Sequence, residues 1–324
     1  MKKWIKLILF IIFPLAAAAA GLSLGSEFVS PADILSCLLN GDCGLKSEVI
    51  LKLRLPRVII AMFAGAALSV SGVAFQSVFR NPLADPFITG ISGGAALGIS
   101  AGVITGMGPA LVMLMAFCGS LLGILLIYAV SAVRGITGSG LILSGVALSF
   151  IFSSSVMLIF AMARSEDVHR IIIWLMGDLS YQGNVPVTWI CLCILCVMFI
   201  LALFHGHLDI ISIGRTFSFS SGVADSELRI IILLASVLAA LSVLLGGIIP
   251  FVGLMVPHLV RMAAGPDHSR LVPLSAVAGG SFLVLADAFS RTVIVPYEIP
   301  AGVVTGFCGG IFFLFYVVKN RPEI

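Results

Sequence analysis

Charge is what this sequence has least of. Only 10% of its 324 residues are Asp, Glu, Lys or Arg, and 60% are hydrophobic. A soluble domain carries about 25% charged residues, so a water-soluble globular protein is excluded and a polytopic membrane protein is indicated. The net charge of +3 is small and scattered, which excludes a nucleic-acid partner. No Gly-x-x-x-x-Gly-Lys-Ser/Thr occurs, so the chain cannot cradle nucleotide phosphates in a Walker loop. An ATP-driven process would therefore need its ATPase on another chain. No sequence repeat relates the two halves, so the mark of many secondary transporters is missing to inspection. At ~20 residues per span there is room for about ten helices and for no sizeable soluble domain. Residues 1–324 thus read as a single all-α transmembrane domain.

What is there is a succession of apolar runs. The first, Leu7 to Leu24, follows Met1-Lys-Lys-Trp-Ile-Lys and is long enough to span, so it reads as a first helix with its N-terminus inside rather than a cleaved signal. A polar connection over 25–57 closes on Arg54-Leu-Pro-Arg57. Further spans are expected near 58–79, 88–105, 110–133, 141–162, 187–204, 230–245, 251–262 (broken by Pro257), 271–290 and 301–318. The run Ile171 to Leu179 is too short to span and predicts a partial or interfacial helix. Counting loops alternately puts eleven Lys and Arg inside and seven outside, in the direction of the positive-inside rule. The outward seven include Arg54, Arg57 and Arg291, an excess that suggests a task there.

Candidate chemistry is sparse. Cys37 and Cys43 share an outward loop, where their separation permits a disulfide without requiring one. Cys191, Cys193 and Cys196 lie in an apolar helix with no His or carboxylate nearby, so they read as small core residues and no metal site is expected. Gly90-Ile-Ser92-Gly93 has the form of an intramembrane serine protease nucleophile. Such an enzyme needs a histidine base at membrane depth, and His258 is the nearest candidate. Tight packing by Gly90, Ser92, Gly93 and Gly94 is the plainer reading. Asp287 and Arg291 stand four apart on one helix face and can pair. The stretch His207 to Gly222 is amphipathic and inward on the loop count, and predicts a pair of short helices that a partner can push.

Several motifs together carry a resemblance. Arg80-Asn-Pro-Leu-Ala-Asp-Pro86 followed by Gly90-Ile-Ser-Gly-Gly-Ala95 is similar to the membrane permease subunit of ABC importers for iron–siderophores, haem and cobalamin. Gly246-Gly-Ile-Ile-Pro-Phe-Val-Gly-Leu-Met-Val-Pro-His-Leu-Val-Arg261, Gly265-Pro-Asp-His-Ser-Arg270, Ala286-Asp-Ala-Phe-Ser-Arg291 and Glu298-Ile-Pro-Ala-Gly302 continue it in order. The resemblance implies a type II importer permease fold of ten helices and a homodimer (or a pair with a close paralogue) in the cytoplasmic membrane of a prokaryote. It further implies both termini in the cytoplasm, ABC ATPase subunits below and an extracytoplasmic substrate-binding protein above. Arg54, Arg57 and Arg291 would then pair with carboxylates of the binding protein. The insertion at about 207–224 would couple to the ATPase through Ile213, Gly214, Arg215, Ser218 and Gly222. Here the chain departs from the family pattern, since Arg215 replaces an acid and Ser218 an apolar residue. Gln76, Asn81, Pro82, Gly90, Ser92, Gly93 and Gly94 would pack or line the translocation path. No cofactor and no covalent chemistry are expected, and a bulky metal chelate would be the cargo. An ion-coupled secondary transporter and an intramembrane protease are the rival readings.

Overall fold

The computed structural model describes residues 3–25, 27–40, 44–134, 138–180 and 186–319. Its regular structure there is helical throughout. In chain order come α1 (Lys3–Ser23), α2 (Pro31–Asn40), α3 (Leu45–Glu48) and a π-helical turn (Val49–Arg54) that runs into α4 (Leu55–Phe79). A 3-10 turn (Pro86–Thr89) leads to α5 (Ile91–Ile104), then α6 (Pro109–Arg134), α7 (Gly138–Met162) and α8 (Ser165–Leu175). After these follow α9 (Val187–Leu203), α10 (His205–Ile213), α11 (Arg215–Ser220), α12 (Asp225–Gly246), α13 (Val252–Ala264), α14 (His268–Ser290) and α15 (Ala301–Lys319).

Each expected span is a helix. Five of them (the π turn with α4, then α6, α7, α12 and α14) are individually long and apolar enough to cross a membrane; α9 reaches that length only together with α10, from which it is bent by 57°. The remaining apolar helices, α1, α5, α13 and α15, are shorter along their described or apolar parts. The short run expected to be interfacial is α8, closed by Gly177 at φ +80°.

Two expectations need correcting. The connection over 25–57 is largely helical, and Arg54 and Arg57 stand on the helix rather than in a loop before it. Pro56 falls where the π turn passes into α4, and the helix continues through it. Nor does Pro257 break α13, which continues through it. The lost bond is the one to the carbonyl four residues back, Gly253. That carbonyl oxygen sits where a side chain at Gly72 of α4 would go. A freed backbone acceptor is thus turned into a close helix crossing.

α4 is the hub. Every residue from Ala64 to Ser77 is buried, as expected of a helix apolar on all sides. α14, α12 and α13 pack along it, with α1, α9 and α10 outside them. The crossings rest on glycine. Gly65 faces the backbone of Gly279 in α14, and Gly72 that of Gly253 in α13. In lipid there is no hydrophobic drive between apolar helices, so close backbone approach supplies the attraction. A second group, α5 on α6 and α7, uses the same device: Gly94 meets Gly119, and Gly98 meets the backbone of Met115.

A side chain at Gly72 should therefore separate α4 from α13. Gly72→Val is expected to destabilise the protein by about 1–3 kcal/mol or more through overpacking, read as a fall in thermal midpoint in detergent. Gly108→Ala, at a glycine with nothing within 4 Å of an added methyl, should leave the midpoint unchanged.

Candidate functional site

The two ends of the α4–α14 pair carry different polar constructions. At one end the π turn draws Arg54 inward until it is 6% exposed. Its Nη1 donates to the carbonyls of Leu22 (2.7 Å) and Ser23 (3.1 Å), and its Nη2 to that of Glu27 (2.5 Å). Two carbonyls at the end of α1 and one in the segment after it are satisfied by one guanidinium, whose fixed fork suits this task. One helix turn on, Arg57 donates through Nε to Asp287 (2.9 Å) and through Nη1 to Glu298 (2.7 Å). Asp287 also meets Arg291 Nε at 3.0 Å, the pair expected from their spacing. Arg291 Nη2 donates to the carbonyl of Gly21 at 2.9 Å.

Arg54, Arg57, Arg291 and Glu298 line a cavity of about 300 Å³ together with Gly25, Val49, Leu53 and Ser180. Its floor is buried and its rim is Glu298, about half exposed. Arg57 and Arg291 flank Asp287, and Arg57 also holds Glu298.

At the opposite end, α10 and α11 form the expected pair of short helices, joined at Gly214 and closed by Gly222 at φ +85°. Leu208 and Ile211 are buried against the bundle, and Ile213 is exposed. Ser218 is buried, while the side chain of Arg215 lies outside the described residues. The Arg80 guanidinium lies beside Gly214. His207 meets Glu227 at 3.3 Å, and Glu227 accepts the backbone N–H of Ala224 at 2.9 Å, fastening the start of α12. Asp267 caps α14: the backbone N–H and hydroxyl of Ser269 hold its carboxyl below the usual carboxylate range.

The remaining candidates divide. Gln76 is buried and donates to the carbonyl of Leu254 (3.0 Å). Asn81 is exposed and turns the chain by accepting from Leu83 N (2.9 Å), with Pro82 exposed beside it. Asp85 accepts from Phe87 N (2.7 Å) and from the backbone N–H of Phe251, whose φ is +67°. The two motifs that carried the resemblance thus meet in space. Gly90 and Gly94 are buried and Ser92 and Gly93 half-buried, with Gly93 against Phe152. The stretch of α4 expected to border a path is enclosed by its own chain.

Ser92 and His258 form no catalytic pair. Neither ring nitrogen of His258 has a hydrogen-bond partner among the described residues, and the ring packs edge-on against Phe312 and Tyr316 of α15. Cys37 is disulfide-bonded, and Cys43 lies outside the described residues. Cys191 is buried and Cys193 and Cys196 are exposed, all three as free thiols.

Sequence reading missed a third polar group altogether. His268, at the start of α14, joins Asp209 of α10 to Ser77 of α4. The sole signal was a histidine just past an apolar run, since its partners are 59 and 191 residues away.

The family model of the FecCD transport family matches residues 9–319. The chain belongs to that family. It is an ABC transporter permease subunit, a multi-pass protein of the inner membrane, and such subunits are not themselves enzymes. Among relatives of this FecCD permease, the vitamin B12 import system permease protein BtuC of Vibrio vulnificus is 34% identical, over 99% of this chain and 96% of its own. The Fe(3+)-citrate import system permease protein YfmD of Bacillus subtilis is 35% identical, over 93% and 90%. A solved metal-chelate type ABC transporter in an inward-facing conformation superposes with a TM-score of 0.82 at 28% identity, covering 96% of this chain and 97% of that one.

Asp287 is 1% exposed and faces two guanidiniums. Asp287→Ala leaves Arg57 with Glu298 alone and Arg291 with no carboxylate, and breaking such a buried group from one side costs about 3–5 kcal/mol. Thermal unfolding in detergent should show a large fall for Asp287→Ala and a small one for Glu298→Ala, whose partner Arg57 keeps Asp287.

Proposed function

We propose that the chain is the translocating subunit of an ATP-driven importer that carries a bulky metal chelate into a prokaryotic cytoplasm by alternating access. An iron–siderophore is the cargo we favour; haem and cobalamin are the other chelates of the same bulk. The observation that carries the reading is the pairing of unlike ends on one bundle. One end bears an arginine-lined cavity and the other a compact pair of short helices, as an importer needs for a donor protein outside and a motor inside.

In this reading the 207–224 insertion faces the cytoplasm and receives the ATPase, and both termini lie on that side. The arginine cavity faces outward. Arg54 and Arg291 already spend donors on backbone carbonyls and Asp287, so they set the positive floor of the cavity. Arg57 and Glu298 meet the docking protein: an incoming carboxylate competes with Glu298 for Arg57. The path forms between two copies of the chain. Exposed Ser153 and Ser154 on α7, a helix little buried by its own chain, suit a water-lined surface better than lipid. A large cargo slides past such a lining with little to hold it, and affinity resides in the donor protein.

Co-purification of the tagged chain from detergent, with and without residues 207–224 scrambled, tests this. An ATPase subunit should accompany the intact chain and be lost on scrambling. If no ATPase associates and the chain alone in liposomes takes up a ferric chelate with a proton or sodium gradient, the secondary-transporter reading replaces this one.

A further inference from the structure

The group around His268 has the residue types of a hydrolase triad and the geometry of a joint. Asp209 Oδ1 accepts the backbone N–H of His268 at 3.0 Å and faces its Nδ1 at 2.5 Å. On the other side of the ring, Nε2 lies 2.6 Å from Ser77 Oγ. Ser77 Oγ is also 2.8 Å from the carbonyl of Val73. Ser77 and His268 are each 2% exposed, which leaves no room for a substrate carbonyl beside the hydroxyl. The triad does not hydrolyse. It fastens α10 to two spans at once.

Counting protons shows how firmly. A hydroxyl carries one. While Ser77 gives it to Val73, Nε2 must donate to Ser77, and with Nδ1 donating to Asp209 the ring is an imidazolium. When the hydroxyl turns to Nε2 instead, a neutral ring with its proton on Nδ1 makes the same two contacts. The bridge is complete in either state, with Arg261 and Asp267 the other charges near the ring. The His207–Glu227 contact, by comparison, is partly exposed on both sides and reaches only α12.

The far end of the same two spans is tied by Arg57 and Asp287. On each helix the two ties are about 30 Å apart at 1.5 Å per residue. A displacement of α10 taken up by His268 is therefore applied to both members of a pair clasped at both ends and in backbone contact between Gly65 and Gly279.

We propose that Asp209, His268 and Ser77 are positioning residues: the strut through which the insertion moves the α4–α14 pair, and with it the arginine cavity. This rests on the importer reading above. It adds which atoms transmit the stroke.

The test uses the full chain in complex with the ATPase that co-purifies with it, in nanodiscs, with ATP and orthovanadate as the probe. Hydrogen exchange at 53–58 and 291–300 is compared with and without the probe. In wild type the probe should change exchange there. In Ser77→Ala, a buried change outside the insertion, the ATPase should stay bound and hydrolyse ATP, while the change shrinks about tenfold, within the roughly 5- to 150-fold usual for coupling between sites. Asp209→Ala should lose the change and Asp209→Asn, whose amide oxygen can accept both bonds, should keep it. A full response in Ser77→Ala overturns the strut, as does loss of ATPase binding in that variant or an Asp209→Asn chain that behaves like Asp209→Ala. A wild-type chain that binds no ATPase refutes the importer reading instead, and the strut with it.

Discussion

Two polar clasps about 30 Å apart by helix rise hold α4 against α14, and the rest of the molecule is arranged around that pair. At one end Arg57 donates to Asp287; at the other Ser77 and His268 share a hydrogen bond. Between them Gly65 and Gly279 bring the backbones together. Charges and hydroxyls buried in a low-dielectric bundle cost several kcal/mol when unpaired, so each clasp is hard to open. Apolar helices in lipid gain little from mere contact. The polar clasps therefore fix which faces of α4 and α14 meet, and the glycines let them meet closely.

What surrounds the pair depends on it. α13 reaches α4 because Pro257 frees the Gly253 carbonyl to lie against Gly72. α1 is held through Arg54 and Arg291, whose guanidiniums donate to the loose carbonyls at its end. The insertion is held through Asp209. The arginine cavity and the insertion are thus opposite faces of one clasped rod. A permease needs such a connection: a push at one face is useful only if the other face feels it.

The fold was legible because a bilayer imposes a simple rule. Backbone groups in lipid must be satisfied within a helix, so each long apolar run was a helix, while the polar connections at 25–57 and 205–222 proved helical too. Where proline sat in an apolar run the rule was insufficient. Pro257 looks like a break in the sequence, yet its helix continues and turns the lost bond into a crossing. Asp287 and Arg291 were readable since their spacing alone puts them on one face. Ser77, His268 and Asp209 were not, because their meeting depends on how three distant helices pack. Arg54 was expected by resemblance to face a docking protein, but a π turn that no local pattern announces buries it against the carbonyls of Leu22, Ser23 and Glu27.

The direct test of the clasped pair is native-state hydrogen exchange of the chain in nanodiscs, followed helix by helix. If α4 and α14 are one unit, their central amides, around 64–77 and 275–287, should exchange most slowly and open together with a single free energy. Asp287→Ala should lower that value for both helices equally. An α14 that opens independently of α4, or an Asp287→Ala effect confined to one of them, would contradict the account.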